Sequence, residues 1–559
     1  MIRNLVIGPT TQRQGAAPGQ TDALSLLRPT WRAMLAIGAD RAASRPLKLA
    51  MFAAWLALAV LLTARHAYWR DEVRALSLAL SGPGLSGMFR AIHGEGHPFV
   101  WYALLRAAHV VTGNAMALPV VALAVAAATM LLLVLRGPFT WWIVALLLAS
   151  DFALHEYSVM ARNYGISVLL MFLLAECYPR HLAYGMLPGC LLFLLANTNA
   201  HSVLLAGAYL LFWFFELIRG QGLRWSTAWR DFAIATIIAA AGVVICLATL
   251  YPPANDAAAI SSQAVTPRAL AEALLLPGGN FGELLLDMPR RAAKYLPWLH
   301  PAMLLATSAL LFGATAGLLR RPGALLAALA SLLAFSLFFT VVYTGYYRHD
   351  GLWLYFVISL YWIMLVRGDA APSWPQSWRT AASLPALGTL CLVALLALQV
   401  PRGAYAAASL VLPQRPDSRS RDLAQFIETH PALHRATLLS DQDYMLEPLP
   451  RYVPNQLYFL HEQRLGRVVK FTLHARLSVS LGDMVAAAGA LREQTGQPVL
   501  MLMTQEPDPA APAHTYRSGY HWVFETTPEQ VREFLAVTHR VARFGPAVTD
   551  ETYTVYELD

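Results

Sequence analysis

The chain has 559 residues, 57% of them hydrophobic and only 14% charged, with a formal net charge of +8. Soluble domains carry about 25% charged residues, so this deficit excludes an ordinary soluble enzyme and makes lipid the main solvent. The positive charge is spread over short loops between apolar runs, which excludes nucleic acid as the partner. Cys177, Cys190, Cys246 and Cys391 all lie in or beside those runs without a Cys-x-x-Cys spacing, which excludes a disulfide scaffold and a thiolate zinc site.

Residues 1–46 are polar and contain Gly and Pro, unlike a cleavable signal peptide, and read as a cytoplasmic N-terminal segment. Apolar runs follow at 47–64, 98–112, 115–135, 139–153, 165–178, 182–198, 201–218, 232–250, 298–318, 324–343, 351–366 and 382–400. Arg3, Arg13, Arg28, Arg32, Arg41, Arg45 and Lys48 precede the first run and place the N-terminus inside. The run 98–112 is short and holds Arg106 and His109, so it reads as an interfacial helix. About eleven crossings remain. Arg136, Arg180, the stretch 219–230, Arg320-Arg321 and the stretch 367–379 then all fall inside. Outer loops are expected at 65–114, 154–164, 197–201, 251–297 and 344–350.

The expected fold is a polytopic α-helical membrane protein with interfacial helices in the first outer loop and a C-terminal extracytoplasmic α/β domain. The membrane domain spans 47–400, a linker 401–418, and the outer domain 419–559. In the outer domain, strand-like runs occur at Ala436–Ser440, Gln456–Leu460, Pro498–Met503 and Thr552–Leu558. Helical patterns cover Leu481–Gln494 and Pro528–Arg540.

Candidate chemistry accumulates in the outer loops. Asp71-Glu72 follows the first run, and adjacent acids there read either as a helix start or as a general base for an attacking hydroxyl. His93, Glu95 and His97 add ligands for an acceptor or a divalent cation (Mg2+, Mn2+ or Zn2+), though their spacing matches no strict metal motif. The next loop offers His155 and Glu156, then Arg162 and Tyr164 at the membrane edge; these read as interface anchors or, for Arg162, as a phosphate fork. Asn199 and His201 sit in a polar hinge, either a plain turn or a pocket wall. Arg290, Arg291 and Lys294 are basic on the side that usually lacks basic residues, which asks for lipid headgroups or a lipid phosphate. Arg348-His349-Asp350 stands at a helix end, with Arg348 and His349 as phosphate contacts.

The order of these features resembles the C-type (GT-C) membrane glycosyltransferases, in the branch of protein O-mannosyltransferases and the lipid A aminoarabinose transferase. The resemblance rests on Asp71-Glu72 in a large first loop, the His97-Pro98-Phe99-Val100-Trp101-Tyr102 helix entry, and the Ser158-x-x-x-Arg162-x-Tyr164 turn, within residues 47–215. It implies an undecaprenyl-phosphate sugar donor, Asp71 as catalytic carboxylate with Glu72 beside it, inversion at the anomeric carbon, and Arg162, Arg348 and the Arg290/Arg291/Lys294 group around the leaving phosphate. The implied setting is the bacterial inner membrane with a periplasmic tail domain. The acceptor would be a glycan, a lipid or a protein. Phe99 replaces the family's second proline and Gly96 precedes His97, so a metal would have to use Glu95 or His97. The alternative from the same residues is a transporter or flippase of a lipid-linked sugar.

Overall fold

The computed structural model describes residues 38, 44–181, 185–251, 265–284, 296, 298–367, 384–412, 416–518 and 521–559. Among them, eight helices are long and apolar enough to cross a membrane. These are α1 (Arg45–Arg65), α5 (Asn114–Arg136), α9 (Ala200–Gln221), α10 (Thr227–Leu250), α12 (Leu299–Ala316), α13 (Pro322–Val341), α14 (Tyr347–Arg367) and α15 (Leu384–Val411). The intervening elements are α2 (Arg70–Ala79), α3 (Gly84–Ala91), α4 (Val100–Thr112), α6 (Trp141–Ala149), α7 (Tyr164–His181), α8 (Met186–Ala196) and α11 (Pro267–Leu275). The fold is thus a polytopic helical membrane protein with a sheet-containing C-terminal domain.

The 98–112 run forms the 13-residue α4, too short to cross a bilayer, and its Arg106 turns back to donate to the carbonyls of Ala79 and Gly82. Run 139–153 becomes the nine-residue α6 followed by a π-helical turn, Phe152–Glu156. Gly351 lets α14 meet that turn, because a Cβ there would collide with the Phe152 ring and the Tyr157 hydroxyl. α14 is buried almost throughout and forms the centre of the bundle. Where the sequence places a linker from 401, helix α15 runs on through Pro401 to Val411. The segment is rich in Ala and continues the preceding helical run.

The tail domain contains α16 (Ser420–Thr429), α17 (Leu481–Thr495) and α18 (Pro528–Val537), with nine strands. β1 (Thr437–Ser440), β2 (Gln456–Phe459), β3 (Arg464–Gly466), β5 (Val499–Met503), β8 (Thr538–Phe544) and β9 (Tyr553–Leu558) form a six-stranded sheet in the order β3-β2-β1-β5-β9-β8. β1 is parallel to both β2 and β5. β4 (Ser478–Ser480), β6 (His514–Arg517) and β7 (Val523–Thr526) form a second, smaller sheet. Capping boxes at Ser480/Asp483 and Thr527/Gln530 start α17 and α18. α18 stops at Val537 because the chain extends into β8, so the helical pattern expected to 540 ends early.

The tail docks on the end of the bundle that carries α2. Tyr68 N donates to Tyr452 Oη (2.8 Å), and Ser420 Oγ donates to the Tyr68 carbonyl (3.0 Å). Arg74 clamps Glu95 of the first loop and Glu447 of the tail. Arg70 donates its backbone N–H to Glu551 (2.7 Å) and its guanidinium to Asp550 (2.6 Å).

Candidate active site

α2 begins with Trp69 as its N-cap, and adjacent residues on a helix point about 100° apart. Asp71 and Glu72 therefore face different surroundings. Asp71 accepts a hydrogen bond from Arg162 Nη1 (2.5 Å) and its side chain retains one third of its exposure. Burial would push its carboxyl up, but Arg162, Arg70 and Arg348 outweigh it and hold the group well below the usual carboxylate range. Glu72 is fully buried. Its oxygens accept from Ala161 N (2.6 Å), Trp69 N (3.1 Å) and His66 Nε2 (2.9 Å).

The indole of Trp69 gathers the cations. The guanidinium carbons of Arg70, Arg162 and Arg348 lie 5.4, 5.6 and 5.6 Å from its ring centre. A π-face attracts cations, so three arginines converge on one indole; Arg162 is paired with Asp71, and Arg70 with Asp550 and Glu551 of the tail. Arg348 Nε is buried and has no hydrogen-bond partner among the described residues. Arg162 also lies over Tyr164, 5.5 Å from its ring centre.

Tyr164 and His349 share a hydrogen bond of 2.9 Å. Because Tyr346 N donates to His349 Nδ1 (3.0 Å), the proton of this imidazole sits on Nε2 and is given to the Tyr164 hydroxyl. His349 thus spends both nitrogens inside the protein and orients Tyr164. His201 stacks on it, with ring centres 4.3 Å apart. Asn199 caps α9 by accepting from Ser202 N (2.9 Å), which commits it to the hinge.

His97 stands beside Asn163, with Nδ1 3.3 Å from the amide nitrogen. Burial, then the charge of Arg162, lowers its pKa to about 3, so this imidazole is neutral. Glu95 is held by Arg74 through both carboxylate oxygens (2.6 and 2.7 Å). A carboxylate so committed to a guanidinium does not fit a cation site shared with His97. His93 donates to the Tyr251 carbonyl (2.8 Å) at the end of α10 and stays exposed. Glu156 Oε2 is buried without a partner among the described residues. His155 turns toward Asp417 of the tail (3.3 Å). Arg290, Arg291 and Lys294 lie outside the described residues.

Several members of the site carry no motif. Trp69, Arg70, Arg74, His66, Asp417, Glu447 and Glu551 all act across 350 positions or more, or by stacking. The geometry defines a class: a membrane-embedded helical protein with a carboxylate and a cluster of arginines at one end, under a folded cap.

No family model matches the sequence, and no curated protein matches it. Among solved structures the chain is similar to apo ArnT from Cupriavidus metallidurans, at 13% identity and a TM-score of 0.41, over 95% of this chain and 98% of that one.

Proposed function

We propose that this chain is a glycosyltransferase of the inner membrane of a bacterium. It moves a sugar from a polyprenyl-phosphate carrier to an acceptor hydroxyl, with the tail domain on the periplasmic side and the N-terminus in the cytoplasm. The observation that carries this reading is the pairing of Asp71 with Arg162 beside Arg348, whose Nε has no partner among the described residues, at the end of a membrane bundle.

The chemistry follows from the charges. Asp71 neutralises Arg162. A phosphate entering between Arg162 and Arg348 takes over the guanidinium donors, which suit its paired oxygens. Asp71 is then released from its partner and becomes more basic. The acceptor O–H gives its proton to Asp71 while its oxygen attacks the anomeric carbon. The bond from that carbon to the phosphate oxygen breaks from the opposite side, which inverts the centre, and the electron pair leaves on the phosphate. Arg162 and Arg348 stabilise that developing charge where it forms. Tyr164, held by His349, lines the same pocket, and His97 is a neutral contact for donor or acceptor.

The test is Asp71→Asn in the full chain, assayed with an undecaprenyl-phosphate sugar and with glycan and lipid profiling of cells. The transferase reading expects donor binding to persist while sugar transfer stops. Transfer that survives the substitution, or donor crossing the membrane at the normal rate without any new glycosidic product, would replace it with the transporter reading.

A further inference from the structure

A second cluster lies behind the site, where the tail joins the bundle. His66 follows α1, His155 lies in the π-helical turn, and Asp417 precedes α16. The three come from separate stretches of chain, 262 and 351 positions apart for the two contacts with Asp417. His66 Nδ1 and His155 Nε2 both point at the same oxygen, Asp417 Oδ2, at 2.9 and 3.3 Å. One ligand atom from each residue lies within 4.8 Å of the others. Two ligands on a tetrahedral zinc ion with bonds of about 2.0–2.1 Å stand about 3.3 Å apart. The two contacts with Asp417 Oδ2, at 2.9 and 3.3 Å, already lie near that spacing.

The geometry points to a structural divalent-metal site, zinc by its donor set, made by His66 Nδ1, His155 Nε2 and the Asp417 carboxylate, stapling the tail domain to the membrane bundle. A hydrogen bond of 2.9 Å from His66 Nε2 to Glu72 supplies the arrangement by which a carboxylate orients a metal-binding imidazole and fixes its tautomer. Charge balance is preserved. Without an ion, the two imidazoles hydrogen-bond to Asp417 and Glu72 through their ring nitrogens. With it, His66 releases the Nδ1 proton and keeps Nε2–H, His155 releases the Nε2 proton and keeps Nδ1–H, and one divalent ion replaces the two protons. Glu72 also accepts from Ala161 N, beside Arg162, so the staple would brace the Asp71–Arg162 pair. This inference stands apart from the assignment of sugar transfer.

The experiment is metal analysis of tag-free full-length protein in detergent, stripped with chelator and reloaded with Zn2+, with Mg2+ as control. The expected result is about one zinc per chain and a rise in Tm on Zn2+ addition alone, both lost in His155→Gln and in Asp417→Asn. Glu72→Gln is expected to weaken zinc binding by about 10–100-fold. Because the wild-type measurement needs no variant to fold, it decides by itself. Stripped wild-type protein that takes up no stoichiometric zinc and gains no thermal stability overturns the proposal. So does zinc uptake that is undiminished in folded His155→Gln and Asp417→Asn. Either result leaves the cluster as a pair of imidazoles hydrogen-bonded to two carboxylates.

Discussion

Two neighbouring carboxylates on α2 lead into two different regions. Around Asp71, which is partly exposed, Arg162, Arg70 and Arg348 gather on an indole; Arg70 is held by Asp550 and Glu551, while Arg348 Nε has no hydrogen-bond partner among the described residues. Around Glu72 everything is matched, with three donors on one buried carboxylate and a chain of contacts through His66 to Asp417. An excess of donors is what an incoming anion needs, because binding it completes the hydrogen bonding. A network whose donors are already spent has nothing to offer an anion and instead fixes the position of its neighbours. The difference separates chemistry from scaffold at a spacing of one residue.

The comparison breaks most visibly at Asp71. Asp71→Asn should lower turnover by about 10²–10⁴-fold, the range for a general base, while Tm and donor affinity stay close to wild type. Glu72→Ala should do the reverse. Removing one member of a buried ionic network costs about 3–5 kcal/mol, so thermal unfolding or limited proteolysis should report a destabilised protein before any kinetic constant is measured. Arg348→Ala should raise the KM for donor by about 10–100-fold, the loss of one charged hydrogen bond of about 1.5–3 kcal/mol, with little change in Tm. Should Glu72 and Asp71 variants show the same profile, the division between cleft and seam is wrong.

A pH series sharpens the same contrast. Burial pushes Glu551 up to about 8, against the opposing charge of Arg70. The folded state then holds a proton that the unfolded state has already released, so stability falls as pH rises from the ordinary glutamate range through 8, by up to about 1.4 kcal/mol per pH unit. Comparing Tm between pH 5 and pH 9 for wild type and Glu551→Gln should show a steeper decline in the wild type. The smallest effect is expected at Asp550, whose half-exposed pair with Arg70 is worth at most about 0.5 kcal/mol. Asp550→Asn should be close to silent in every assay.

How far the sequence reached follows from the range of each interaction. Apolar runs announce membrane helices by themselves, and the tail's strands Thr437–Ser440 and Val499–Met503 lie within a residue of the expected runs because both are short apolar stretches bounded by polar ones. Asp71, Arg162, Tyr164, His201, Arg348 and His349 come together because each stands where an apolar run ends, and those ends meet at one level. Two things stayed hidden. Glu72 and Asp71 are indistinguishable as letters, since only helix phase turns one inward. Asp417 reads as a turn residue in Gln414-Arg415-Pro416-Asp417-Ser418, because its partners lie hundreds of positions earlier. The short strands of the second sheet lack a hydrophobic run of their own and gain their pairing from contact with α17 and α18.

The bond from Arg70 to Glu551 joins positions 481 apart and sits one residue before Asp71. Every membrane helix must be inserted, and the sheet that carries β9 assembled, before that loop acquires its final shape. Arg70 therefore takes its final place only with the last strand, and the shape of the turn before Asp71 is a property of the whole chain.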